Sequence, residues 1–282
     1  MTKVRPPAVA GFFYEGAAAP LRRDVESYLA GAAPPRRPEG SWSALLLPHA
    51  GYTYSGRIAG AGAGAVEWPG RVLILGPNHR GVGAGAALST AESWRTPLGD
   101  VPLDAELGAA LEAACPSLVR DEAAHAAEHS LEVIVPFLQV ARPGVRIACV
   151  SLGEPDIGLC REVGRGAARV VKDAAARGER VAIVVSSDLN HYLPRAANRE
   201  KDGRAIDALL SGDPEELFDR VLVRERISMC GVLPATAMLF AMQELGGARG
   251  TLLSQGDSAD SSGDESRVVG YASLVWDRPE AS

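Results

Sequence analysis

The stretch SALLLPHAG at residues 43–51 is a short aliphatic run that ends abruptly in proline, histidine and glycine. The same pattern returns in RVLILGPNHRG (71–81) and, with serines and an aspartate at the break, in RVAIVVSSDLNHY (180–192). An aliphatic run without alternation reads as a strand buried on both faces, the kind a parallel sheet covered by helices requires. VRIACVSL (145–152) and RVVGYASLVW (267–276) read the same way. Apolar spacing of helical period fills the intervals, at about 17–30, 56–67, 104–114, 129–140, 156–177, 200–210, 214–223 and 232–245. Strand and helix alternate along the chain, which predicts a three-layer α/β/α fold with a largely parallel central sheet.

One linker-like stretch, AGAAPPRRPEGS at 30–41, comes too early to leave room for a domain before it, so residues 1–282 are expected to form one domain. With 46% hydrophobic and 23% charged residues the composition excludes a disordered or collagen-like chain. A net charge of -6 and the lack of a basic run argue against nucleic acid or an anionic membrane as a partner. The four cysteines have no CxxC spacing and make no disulfide framework in a chain this long. No window approaches the ~18 apolar residues of a membrane span, and MTKVRPPAVAGFFYEG lacks the apolar stretch of a signal peptide. A reducing cytoplasm and free thiols are expected. The glycine-rich AGAGAGAV (59–66) and GVGAGA (81–86) carry no GK[ST], so close helix packing is preferred to a phosphate loop.

Three of the five histidines share a topological place: His49, His79 and His191 each lie just past the carboxyl end of an expected strand. That edge is where open α/β sheets bind ligands. Asp188, three residues before His191, is close enough on a turn to share a site or a hydrogen bond with it; such a carboxylate raises imidazole basicity and suits either a general base or a metal ligand. His125 and His129 in AHAAEHSLEV are four apart, but Glu128 is misplaced for the HExxH of zinc proteases. Glu128 and His129 are expected to support a ligand or touch a substrate, and His125 to face solvent. Cys230 precedes an apolar helix whose N-terminus would favour a thiolate; the other cysteines sit among aliphatic residues as small core groups.

The motifs PHAGYTYSG (48–56), LGPNHRG (75–81), EHSLEV (128–133) with PF at 136–137, SSDLNHY (186–192), CG (230–231) and GDESRVVGYAS (263–273) together resemble the MEMO family, in that family's order. VRPPAVAGFFYEG (4–16) resembles its N-terminus, so the likeness runs from about residue 4 to 276. Bacterial and archaeal members are called AmmeMemoRadiSam system protein B. The resemblance implies a fold like the catalytic subunit of class III extradiol dioxygenases, with His49, His79 and Cys230 as metal ligands and Asp188 and His191 lining the same pocket. The dioxygenases use two histidines and a carboxylate. A cysteine in the carboxylate's place is a softer ligand, so ring cleavage does not carry over. IVPF at 134–137 also departs from the QLPF or HLPY common in the family.

The first functional expectation is therefore metal-dependent redox or oxidoreductase chemistry on one transition-metal ion, iron or copper ahead of zinc, with His191 and Asp188 as the catalytic base pair. The alternative is a module binding a peptide or protein in the same crevice without turnover. A third is a Cys230-dependent hydrolase with His191 and Asp188 as its relay. The ligand is a small molecule or peptide, and the system name adds AMMECR1-like and radical-SAM proteins as partners.

Overall fold

The computed structural model describes residues 3–33, 35–247 and 249–278. Twelve strands occur among them: β1 (Val4–Arg5), β2 (Trp42–Leu47), β3 (Arg71–Pro77), β4 (Ala86–Leu88), β5 (Ser93–Thr96), β6 (Gly99–Pro102), β7 (Val119–Arg120), β8 (Arg146–Leu152), β9 (Val181–Ser186), β10 (His191–Leu193), β11 (Gly250–Asp257) and β12 (Val268–Asp277). The five aliphatic runs are β2, β3, β8, β9 and β12. Four of them lie side by side and parallel, in the order β2-β9-β3-β8. The margins are mixed. β12 runs antiparallel to β2 and carries β10 and β11, while β4 runs antiparallel to β8 and leads to β7. A small separate sheet joins β1, β5 and β6.

Side chains of the central strands alternate between two cores, as a pleated strand covered on both faces must. Ala44, Leu46, Leu73, Leu75, Ile183 and Val185 point into one, under the helices Ala105–Ala114, Ile157–Ala176 and Val232–Glu244. Leu45, Leu47, Val72, Ile74, Ala182 and Val184 point into the other, under Ala18–Ala30, Tyr52–Gly64 and Val135–Ala141. The α/β/α architecture with a largely parallel centre is thus the fold found. No described helix is long and apolar enough to cross a membrane.

Glycines 60 and 64 lie in the helix Tyr52–Gly64 where it meets Ala18–Ala30. A Cβ at 60 would come 2.3 Å from the Tyr28 Cβ, and one at 64 would come 2.2 Å from the Leu29 carbonyl. The first glycine-rich run is therefore a packing surface. That helix begins at Tyr52, earlier than expected, because its Gly51 cap contributes no side chain and leaves no cap signal in the sequence. The Phe13 carbonyl accepts from the Tyr52 amide instead, at 2.7 Å, which ties the N-terminal segment to the sheet edge. GVGAGA is not helical; it is the loop into β4.

Candidate metal centre

β2, β3 and β9 end together, and the loops leaving them bring His49, His79 and Asp188 to one crevice. Cys230 joins them from just before the helix Val232–Glu244. Gly231 lets it approach: a Cβ there would fall 2.4 Å from the Ser187 Cβ and 2.6 Å from the Ser186 carbonyl oxygen. The ligand atoms of His49, His79 and Cys230 lie within 4.8 Å of one another.

Hydrogen bonding fixes both imidazoles. Ser186 gives its one hydroxyl proton to the Ser130 carbonyl at 2.6 Å, so in its 2.7 Å contact with His49 the imidazole Nδ1–H is the donor. His49 Nε2 then carries a lone pair, 3.3 Å from Cys230 Sγ. His79 reaches the same state by other means, its Nδ1 donating to Glu128 Oε1 at 2.9 Å. Support of the distal nitrogen by a carboxylate or other acceptor is the usual companion of a metal-binding histidine. The donor set fits an ion: bonds of about 2.0 Å to nitrogen and 2.3 Å to sulfur at a tetrahedral angle set N and S roughly 3.5 Å apart.

Glu128 is buried, and burial alone would raise its carboxyl. The His79 imidazole and the Ser130 amide outweigh that and hold it well below the usual carboxylate range. Its two oxygens also accept from the His79 amide at 2.6 Å and the His129 amide at 2.9 Å. His129 lies against His79 with ring centroids 4.7 Å apart and meets Phe13 edge-on at 4.8 Å. Burial, with His79 nearby, lowers His129 to about 4 against the pull of Glu128. His49 falls well below its ordinary value, through burial first and then its histidine neighbours.

Asp188 and His191 line the same pocket but have different partners. Asp188 Oδ1 accepts from the His49 amide at 2.8 Å and the Ala50 amide at 3.3 Å, and burial raises its carboxyl to about 6. His191 Nδ1 donates to the Ser228 carbonyl at 2.8 Å, and its amide donates to Ser228 Oγ at 2.8 Å. The expected carboxylate–imidazole hydrogen bond is thus replaced by a backbone acceptor, because β9 turns Asp188 back toward β2. Burial lowers His191 below its ordinary value.

Two further expectations are corrected. His125 is buried, not solvent-facing: its Nε2 donates to the Ala87 carbonyl at 3.1 Å and its ring packs 5.7 Å from Trp94. The Cys230 thiol is pushed up, not down, because burial and the adjacent Asp188 carboxyl outweigh the hydrogen bonds from the Asp188 amide, 3.2 Å from Sγ, and from Ser187.

Sequence reading did not find Ser130, Ser186 or Ser228, nor the buried pair Arg5–Glu132, 2.6 Å apart. Arg5 also donates to the carbonyls of His125 at 2.8 Å and Glu128 at 2.6 Å, and Glu132 accepts from the amides of Ala8 and Val9 and from Tyr14. This pair locks the N-terminal segment onto the segment that carries Glu128. The available signal was Glu132, the one acid in the apolar run LEVIVPFL at 131–138.

Phe13, His129, Tyr192, Val269 and Tyr271 complete a pocket of about 610 Å³ around these groups. A three-layer α/β/α protein with two histidines and a cysteine gathered at the carboxyl edge of its sheet is the class so defined. The chain belongs to the Memo-like protein family, which it matches over residues 5–275. It is 37% identical to a MEMO1 family protein of Methanopyrus kandleri, with 97% of this chain and 99% of that one aligned. Identity to a MEMO1 family protein of Methanocaldococcus jannaschii is 39%, over 98% and 99% of the two chains. An uncharacterised protein of Escherichia coli K12, known from its crystal structure, shares the fold with a TM-score of 0.57 at 19% identity, covering 83% of this chain and 99% of that one.

Proposed function

We propose that this chain is a metal-dependent redox protein acting on a small molecule, with His49, His79 and Cys230 holding one iron or copper ion. The observation that carries the reading is the pair of fixed tautomers, which present two Nε2 lone pairs beside one thiol. Bound there, such an ion supplies one-electron chemistry and an open coordination position. Glu128 and Ser186 hold the imidazoles in register, and the Asp188 amide stands ready to donate to the thiolate sulfur. His191, kept neutral by burial and anchored through Nδ1, offers Nε2 as a proton acceptor during turnover; Asp188, raised to about 6, is the group able to change protonation near neutral pH.

The hydrolase alternative fits less well, since partial burial and the neighbouring Asp188 carboxyl disfavour the Cys230 thiolate and no imidazole relay links Asp188 to His191. Exposed Phe12, beside pocket-lining Phe13, favours the peptide-binding module as the second reading. Partners of AMMECR1-like and radical-SAM type belong to this proposal, and co-purification tests them. The discriminating experiment is oxygen consumption by iron- or copper-loaded protein supplied with a chemical reductant, in wild type and His191→Ala. Turnover above that of free metal, lost in the variant, supports the redox reading. Equal rates in both, with partner binding that survives chelator, favour the binding module.

A further inference from the structure

Only two described residues other than glycine have a left-handed backbone, Arg226 at φ 47° and Tyr192 at φ 65°. For a bulky aromatic residue that conformation is an outlier, and glycine or asparagine would adopt it more readily. Tyr192 sits where the register between β10 and β12 shifts, between His191 and Leu193. Such bulges re-aim side chains beside functional sites. Here the result is a ring that is 61% exposed yet lines the pocket, 5.5 Å edge-on from the His191 ring. The Arg267 guanidinium stacks on the ring at 5.2 Å. Nothing in the core explains the tyrosine, since its side chain is largely in solvent. Backbone strain kept for the sake of an exposed side chain points to a role for that side chain.

We propose that Tyr192 is a specificity-determining residue at the pocket mouth, its ring limiting the size of the molecule that reaches Cys230 and His191. Arg267 holds the ring in place from outside. Among the described residues no lysine or arginine lines the pocket itself, so the ring admits by bulk and not by charge pairing. This rests on the pocket alone and stands whether or not the metal reading holds.

The test uses metal-free full-length protein and two thiol reagents, small iodoacetamide and bulky N-phenylmaleimide, with modification at each cysteine followed by mass spectrometry. Cys115, Cys149 and Cys160 are buried in the core and report global opening in the same sample. Tyr192→Gly is expected to keep or raise the melting temperature, since glycine relieves the backbone. It should also speed N-phenylmaleimide at Cys230 at least ~5-fold more than iodoacetamide, without change at the other cysteines. Tyr192→Phe should behave as wild type, and Arg267→Ala should fall between. A Tyr192→Gly protein that melts lower, or in which both reagents at Cys230 change by the same factor, overturns the proposal.

Discussion

His49 and His79 present the same nitrogen to the same place from unlike surroundings. His49 is buried, and its support is neutral, a serine hydroxyl that passes its proton to a backbone carbonyl. His79 is partly open to the pocket, and its support is an ionised carboxylate buried behind it. The difference shows that an imidazole can be oriented by either kind of acceptor, while only the charged one adds attraction for a cation. Glu128 should therefore govern affinity and Ser186 mainly geometry.

The largest effect is expected from the converging atoms themselves. His49→Ala, His79→Ala and Cys230→Ser should each abolish the one-per-chain metal content measured by plasma mass spectrometry, while His125→Ala keeps it. Loss of metal on His125→Ala with the fold intact would move the site and end the comparison. Glu128→Gln comes next: the amide cannot match the carboxylate, and metal affinity should fall roughly 10–100-fold. Ser186→Ala should fall by less, because a neutral support is lost. Equal losses in competition titrations would show that charge is not what separates the two arms.

The same contrast has a pH signature in metal-free protein. His49, His129 and His191 all lie below their ordinary value in the fold. The unfolded chain takes protons on these rings as pH falls through about 6.5 while the folded chain refuses them, so stability drops from pH 7 toward 5. Glu128 continues the loss at lower pH, since its stabilisation is complete above the usual carboxylate range and disappears as pH falls through its depressed folded value. Asp188, raised to about 6, opposes the trend between roughly pH 4 and 6. Melting temperatures at pH 5 and 7 should therefore differ more in Asp188→Asn than in wild type; a smaller difference would contradict the assignment. The smallest effect belongs to His191→Ala, expected to leave metal stoichiometry unchanged because His49, His79 and Cys230 bring three ligand atoms together without it.

What could be read in advance follows from burial. β2, β3, β8 and β9 are covered on both faces, so their sequences are continuous aliphatic runs, and the ends of β2, β3 and β9 locate the histidines. β11, with the weakly apolar GTLLSQGD, and the short β4, β5, β6, β7 and β10 carry no such run. Their pairing comes from neighbours distant in sequence. Ser186 illustrates the limit at the site. Its meaning depends on register, which sets it opposite Leu47, two residues before His49, and no local pattern encodes that. His125 departs from the solvent-facing expectation because the helix Ala123–Ala126 stops after one turn and turns it inward. The bond between Asp188 and His191 was inferred from nearness in sequence, yet each finds a backbone partner closer in space.

Two imidazoles and the Cys230 thiolate are expected to meet on one ion. X-ray absorption of the full chain loaded with a single equivalent of iron or copper tests it directly. The expected spectrum contains one sulfur scatterer at about 2.3 Å and imidazole nitrogen at about 2.0–2.1 Å, with the sulfur lost in Cys230→Ser. A shell of nitrogen and oxygen alone in the wild-type protein would remove Cys230 from the metal site.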